Sequence, residues 1–275
     1  MDLIRHIAIV SETAAVPLRD VTRVAAAVQK QVLRDFAPIW GIQTTIGAFA
    51  ARADIPIGYW PILIHDDLDE PFDGMHRNRN GEPFGVVRAG YGWSITVSHE
   101  ALEMLADPTC ARLVSAPSPR RTHERVEFLL DICDPCQGVS YTVNGLQLCD
   151  FVTPNFYDAV ESPGVRYSYT GAVETPRQVL PEGCCTWHEP ATGEWWQATN
   201  ADGELEFRPV EPRLPGNMDF RLADVATSIH GRGSNGFQRD DLRLRLIRSL
   251  ADGAREAALA RARLRRTSEE STGRG

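Results

Sequence analysis

Along the first hundred residues, short β-branched segments typical of strands alternate with segments whose apolar residues recur every three to four positions, as in helices. Together they predict a mixed fold of helices and strands. The run His6–Glu12 is short and β-branched, which predicts a first strand. Apolar residues three to four apart then continue to about Phe36, and they predict a helix that Asp20 caps. Its predicted buried stripe is Val21, Val24, Val28, Val32 and Phe36.

Three further segments before residue 92 have the composition of strands. They are Ile42–Ala50, Tyr59–Asp66 and Phe84–Tyr91. The acidic run Asp66–Gly81 between the last two is rich in glycine and asparagine, so we expect a loop there. The order is therefore strand, helix, strand, strand, loop, strand.

The segment Trp93–Pro108 has apolar spacing that predicts a helix directly after the last of these strands. The helix should end at Asp107, because a residue before proline is disfavoured in the α region. One side of this helix is expected to carry its apolar residues, namely Ile95, Leu102, Leu105 and Ala106.

After this helix the pattern predicts a polar connection, an apolar segment and a hairpin. Ala116–Arg125 is polar, and Val126–Cys136 is apolar and open to a helical interpretation. Asn144-Gly145 is a strong hairpin signal, because both residues accept the positive φ of a type I′ turn. The predicted hairpin strands are Val139–Val143 and Leu146–Val152.

Composition divides the chain into three predicted regions. Residues 1–160 form the main domain, and residues 161–236 form a β-rich extension with dense tryptophan, glycine and proline. In this extension WHEPATGEWWQ predicts two strands about the turn at Thr192-Gly193, and Glu204–Arg208 alternates like a strand. Residues 237–275 predict an arginine-rich amphipathic helix, Asp240–Arg266, followed by a disordered tail.

Charge and cysteine use exclude several classes of protein. The net charge is −8, and residues 237–275 hold ten arginines against six acidic residues, so the remainder carries −12. Such an acidic body disfavours nucleic-acid binding, in which phosphate contacts dominate. No apolar run is long enough for a membrane span or a signal peptide. Six cysteines as reduced thiols fit a cytoplasmic protein.

The candidate chemistry lies on the predicted helix that contains His99, Glu100 and Glu103. His99 and Glu103 are four residues apart and therefore project from one helical face. In an H-E-x-x-H helix the two histidines bind zinc and the glutamate between them acts as general base. Here Glu103 replaces the second histidine, which zinc chemistry allows. Glu100 is the candidate base, and a solvated helix face is the alternative interpretation.

A catalytic zinc also needs a third protein ligand and an open position. We favour Asp134, in the turn Cys133-Asp134-Pro135-Cys136. Asp131, Asp150 and Asp107 are the alternatives, ranked behind it. Two other roles remain open for Cys133 and Cys136, a thioredoxin-like redox pair or a structural zinc site, besides buried reduced thiols.

The element order of residues 6–108, together with H-E-x-x-E, resembles the zincin metallopeptidases, in a degenerate variant of an uncharacterised bacterial type. The resemblance implies a mixed twisted sheet, a backing helix and an edge strand just before the active-site helix. It also implies a peptide or protein substrate that pairs with that edge strand. Glu103 departs from the family pattern, and the third histidine of metzincins has no counterpart.

The expected fold class is therefore α+β, with a zincin-like core, a β-rich extension and a C-terminal helix. The expected function is a zinc metallopeptidase in which Glu100 activates a metal-bound water. A catalytically inactive zincin-like binding or assembly protein is the alternative. The C-terminal helix is a candidate surface for a protein partner or for self-association.

Overall fold

The described residues of the chain have a mixed α+β fold. A computed structural model describes residues 5–68, 72–79, 81–121, 123–201 and 203–210, which all fall within one compact unit. The predicted helix Asp240–Arg266 and the whole of residues 237–275 lie outside the described residues. No helix within the described ranges is long and apolar enough to cross a membrane.

Twelve strands and three α-helices make up the described part of the chain. In order they are β1 (Arg5–Ser11), α1 (Leu18–Gln31), α2 (Ala37–Trp40), β2 (Thr44–Phe49), β3 (Tyr59–His65), β4 (Gly74–Arg79), β5 (Glu82–Arg88), α3 (Trp93–Ala106), β6 (Leu113–Pro117), β7 (Arg125–Leu129), β8 (Ser140–Val143), β9 (Leu146–Cys149), β10 (Cys184–Glu189), β11 (Glu194–Ala201) and β12 (Glu204–Val210). A π-helical turn, Val32–Phe36, joins α1 to α2. Single 3₁₀ turns occur at Arg52–Asp54, Asp134–Cys136 and Pro154–Tyr157.

The first sheet has the strand order β2-β1-β3-β5-β4, and only β4 is antiparallel to its neighbour. The expectation of an edge strand just before the H-E-x-x-E helix is wrong, because the strand before α3 is β5, which lies between β3 and β4. The prediction of a loop over Asp66–Gly81 is wrong, because this run contains β4. Gly74, His76 and Asn78 alternate along β4 on the side of α3, and two of these three are polar. Their inward polar side chains hide the hydrophobic alternation that identifies a strand.

Helix α1 begins at Leu18, with Pro17 at the N-cap position, so the prediction that Asp20 caps it is wrong. Pro17 already has the extended backbone of a cap, and its carbonyl accepts the Asp20 N–H at 2.9 Å. The predicted apolar stripe of this helix, from Val21 to Phe36, is buried as expected.

Helix α3 confirms the predicted start at Trp93 and the predicted end before Asp107-Pro108. It is buried on nearly every side from Val97 to Ala106, whereas the sequence predicts one apolar side, and Ile95 is only half-buried. It contacts β3, β4 and β5 on the first sheet, and β9 covers another side. A helix enclosed in this way places its polar side chains inside the protein.

The predicted hairpin is confirmed, with β8 and β9 joined by Asn144 (φ 50°) and Gly145 (φ 78°). The hairpin also contacts α1. Gln31 of α1 donates to the Cys149 carbonyl at 2.9 Å and accepts a hydrogen bond from Ser98 of α3 at 3.0 Å. These bonds connect α1, α3 and the β8–β9 hairpin.

The second sheet is antiparallel throughout, in the order β12-β11-β10-β7-β6. It joins strands from both sides of residue 160. The prediction of a polar connection over Ala116–Arg125 is wrong at both ends, which belong to β6 and β7. The helical interpretation of Val126–Cys136 is wrong, since Val126 and Phe128 alternate inward along β7. The hairpin about Thr192-Gly193 is confirmed.

We expect Gly74→Ala to lower the free energy of unfolding by about 1–3 kcal/mol, because overpacking a close contact has that effect. A Cβ at Gly74 would lie 2.3 Å from Thr96 Cγ2 and 3.0 Å from Glu100 Oε1 of α3. Gly90→Ala is the matched control, since a Cβ there meets nothing within 4 Å. Urea unfolding of both variants measures the difference, and equal stabilities would contradict this packing of β4 on α3.

Candidate metal centre

Helix α3 places three ionisable side chains at the junction of the first sheet and the turn after β7. Glu103 is fully buried and Glu100 is 3% exposed, whereas the His99 side chain keeps 14% of its exposure. Glu103 and His99 are one helical turn apart, and His99 Nε2 lies 3.4 Å from Glu103 Oε1. The predicted convergence of these two residues is therefore present in the structure.

Asp134 joins them from the 3₁₀ turn between β7 and β8. Its Oδ1 lies 3.2 Å from His99 Nε2. The turn packs closely against the backbone of Gly183. A Cβ at this position would lie only 2.5 Å from the Pro135 carbonyl oxygen, so a larger residue would not fit there. The same oxygen accepts the Leu180 N–H at 2.9 Å. The turn thus holds Asp134 over α3 by contacts that its own sequence does not reveal.

The spacing of these ligand atoms is compatible with a shared metal ion as well as with an ion pair. Charge-assisted hydrogen bonds from nitrogen to carboxylate are typically about 2.7–2.9 Å long. Two ligand atoms about 2.05 Å from a tetrahedral zinc are about 3.3 Å apart. The separations of 3.2 and 3.4 Å around His99 match the second value. One nitrogen and two carboxylate oxygens also form a donor set that zinc accepts.

The electrostatics of the cluster favour positive charge. Burial of the His99 ring opposes its charged form, but the neighbouring carboxylates, Glu103 first, hold the pKa of His99 well above its usual range. Burial raises the pKa of Asp134, and the charge of Glu103 adds to that effect while His99 opposes it. A cation among these carboxylates would relieve the repulsion between them.

The other aspartates considered as ligands have different partners. Asp107 accepts hydrogen bonds from the Thr109 N–H and hydroxyl and from the Arg112 N–H, which closes the end of α3. Asp150 accepts from the Thr170 N–H at 3.1 Å and from its hydroxyl at 2.6 Å. Asp131 is buried but belongs to neither cluster of metal-ligating side chains found among the described residues.

The cysteines near the cluster are buried free thiols. Burial raises the pKa of Cys133 and of Cys136 well above the usual thiol value, the opposite of what a thioredoxin-like pair requires. No metal-ligating cluster found in the described part of the chain contains a cysteine. Cys133 contributes through its backbone, whose N–H donates to Glu103 Oε1 at 3.2 Å.

His76 is the residue at this site that the sequence does not identify as a ligand. It lies on β4 with its side chain fully buried, and its Nδ1 is 3.3 Å from Glu103 Oε2 and 3.5 Å from Glu100 Oε2. Because a loop is expected around His76, the sequence does not predict which way its side chain points. Only a strand directs alternate residues to one side, here toward α3. His65, its counterpart at the end of β3, lies instead 3.5 Å from Glu12.

Comparisons of the chain with protein-family models, with curated proteins and with solved structures gave no match.

We expect the purified protein to hold about one tightly bound divalent ion per chain and His99→Ala to lose it, because a catalytic site depends on each of its few ligands. His188→Ala is the matched control, since His188 pairs with Glu127 at 3.0 Å on the second sheet. Elemental analysis by mass spectrometry gives the metal content. Equal content in wild type and His99→Ala would contradict the site.

The third ligand can be tested by comparing Asp134, which is partly exposed, with the buried Asp150. Asp134→Asn should lose the ion, because Asp134 faces the cluster, and its melting temperature should equal that of the metal-free wild type. Asp150→Asn should retain the ion but lower the melting temperature, because it weakens the hydrogen bonds to Thr170. Metal content and thermal unfolding of both variants distinguish the two roles, and the reverse pattern would make Asp150 the ligand.

Proposed function

We propose that this chain is a metal-dependent hydrolase, a zinc peptidase with a zincin-like α+β fold. The observation that carries the proposal is the convergence of His99, Glu103 and Asp134 at the ligand spacing of one ion, with Glu100 beside them on α3. His99, Glu103 and Asp134 would hold the zinc. Zinc in such a site makes a bound water more acidic and polarises a carbonyl group.

Glu100 is suited to accept the proton of the attacking water. Its Oε2 is buried and has no hydrogen-bond partner among the described residues. His76 Nδ1 lies 3.5 Å from this oxygen, and a carboxylate oxygen that accepts no hydrogen bond keeps its lone pairs for a proton. The partly exposed side chains of His99 (14%) and Asp134 (15%) mark the side from which a substrate carbonyl can approach.

The edge of the first sheet supports a peptide as substrate. In the described part of the chain β4 is the last strand of this sheet and pairs with β5, so a peptide could add to its other edge. An extended peptide that pairs with a sheet edge is held by main-chain hydrogen bonds. His76 of β4 contacts Glu100 and Glu103, so a peptide along this edge would lie beside the cluster.

The zincin-like fold is part of the proposal. It is supported by a sheet whose edge strand is antiparallel to the others, with the H-E-x-x-E helix following β5. We place the enzyme in the cytoplasm, where its free cysteines would stay reduced.

We expect Glu100→Gln to retain the tightly bound ion and to lower peptide hydrolysis by about a hundredfold to ten-thousandfold, the usual contribution of a general base. The amide keeps the shape of the side chain but cannot accept the proton. Initial rates on a library of fluorogenic peptides, measured with metal content, provide the test. Glu127→Gln, a change on the second sheet, is the control and should keep full activity.

Two outcomes would count against this function. Full activity in Glu100→Gln would exclude the proposed base. Bound metal without hydrolysis of any peptide by the wild type would favour the inactive binding or assembly protein.

A further inference from the structure

We propose that His76, Glu100 and Glu103 form a second site for a divalent transition-metal ion, which shares Glu103 with the first. The two oxygens of Glu103 face different histidines. Oε1 lies 3.4 Å from His99 Nε2, and Oε2 lies 3.3 Å from His76 Nδ1. A carboxylate oriented in this way can bridge two ions, and ions in two-metal sites lie about 3.5–4 Å apart.

The distances within the second cluster match those of the first. His76 Nδ1 is 3.3 Å from Glu103 Oε2 and 3.5 Å from Glu100 Oε2. Both separations exceed the usual length of a charge-assisted hydrogen bond, about 2.7–2.9 Å. Both lie near the distance of about 3.3 Å expected between two ligands of one tetrahedral ion.

The state of Glu100 is independent evidence for a ligand here. Glu100 is 3% exposed, and its Oε2, which faces His76, has no hydrogen-bond partner among the described residues. A buried carboxylate oxygen without a hydrogen bond is unfavourable, and metal coordination is one way to stabilise it besides the ion pair with His76. An ion between His76 and Glu100 would supply that compensation.

The chemistry of the ligands indicates the class of ion. One imidazole nitrogen with carboxylate oxygens suits Zn²⁺, Co²⁺ or another first-row ion, whereas Mg²⁺ and Ca²⁺ prefer oxygen alone. The second ion should bind more weakly than the first, because it shares Glu103 and is repelled by the charge already present.

Occupancy of the second site has a consequence for catalysis, and this step rests on the proposed function. Coordination of an ion through Oε2 would withdraw electron density from the Glu100 carboxylate and make it a weaker acceptor for the proton of a water. A second ion should therefore lower hydrolysis. The enzyme would be active with one ion and inhibited by an excess of the same metal.

The test counts ions in the full chain independently of activity. Metal is removed with a chelator, Co²⁺ is added by equilibrium dialysis at increasing concentration, and bound cobalt is measured by mass spectrometry. We expect two ions per chain in the wild type, and one in His76→Gln and in Glu100→Gln. Circular dichroism shows whether each variant folds. If one of them folds poorly, the other still provides the test. His188→Gln is the matched control and should bind two.

One ion in the saturated wild type, or two in both folded variants, would overturn the second site. Activity is measured along the same titration. Two bound ions with undiminished hydrolysis would leave the second site intact and exclude Glu100 as the base. Two bound ions with no hydrolysis at any ratio would exclude the peptidase alone.

Discussion

The structure around α3 depends on the burial of one carboxylate, that of Glu103. An ionised side chain with no exposure is unfavourable unless charges and hydrogen bonds compensate it. Groups that compensate it include the Cys133 N–H from the turn after β7, His99 from the same helix, and His76 from β4. Each of these groups must be held in place, and the two sheets and the helix provide that support.

Other buried polar side chains, on α3 and next to it, also need partners from separate elements. Ser98 is fully buried and donates to Gln31 Oε1, while its hydroxyl accepts the Cys149 N–H at 3.1 Å. Asp35, in the π-helical turn, accepts hydrogen bonds from Tyr141 at 2.9 Å and Tyr169 at 2.8 Å. Polar groups inside this fold therefore join separate elements, and the helix is fixed by specific bonds as well as by apolar packing.

Sequence reasoning was most reliable where local spacing determines structure. The four-residue spacing of His99 and Glu103, the helix end at Asp107-Pro108 and the turn at Asn144-Gly145 all depend on neighbouring residues, and all three are present. The approach of Asp134 could be suggested from the sequence only as one of several options, because it depends on Gly183, far along the chain. His65 and His76 could both be suggested from the sequence as facing the cleft, but His76 could not be paired with α3, because a strand whose inward residues are polar has no hydrophobic alternation. Local rules thus fail at the positions where the candidate site replaces apolar residues.

The position of Asp134 has a consequence for how the chain folds. Helix α3 belongs to the first sheet, whereas the turn that carries Asp134 follows β7 of the second sheet and contacts β10. The three candidate ligands come from elements of both sheets, so an ion held by all of them would bind the native chain in preference to the unfolded one. By mass action, such an ion at a hundred times its dissociation constant adds about 2.7 kcal/mol to the free energy of unfolding. The proposed ion would then link elements of the two sheets in the native state, and its removal should lower the free energy of unfolding.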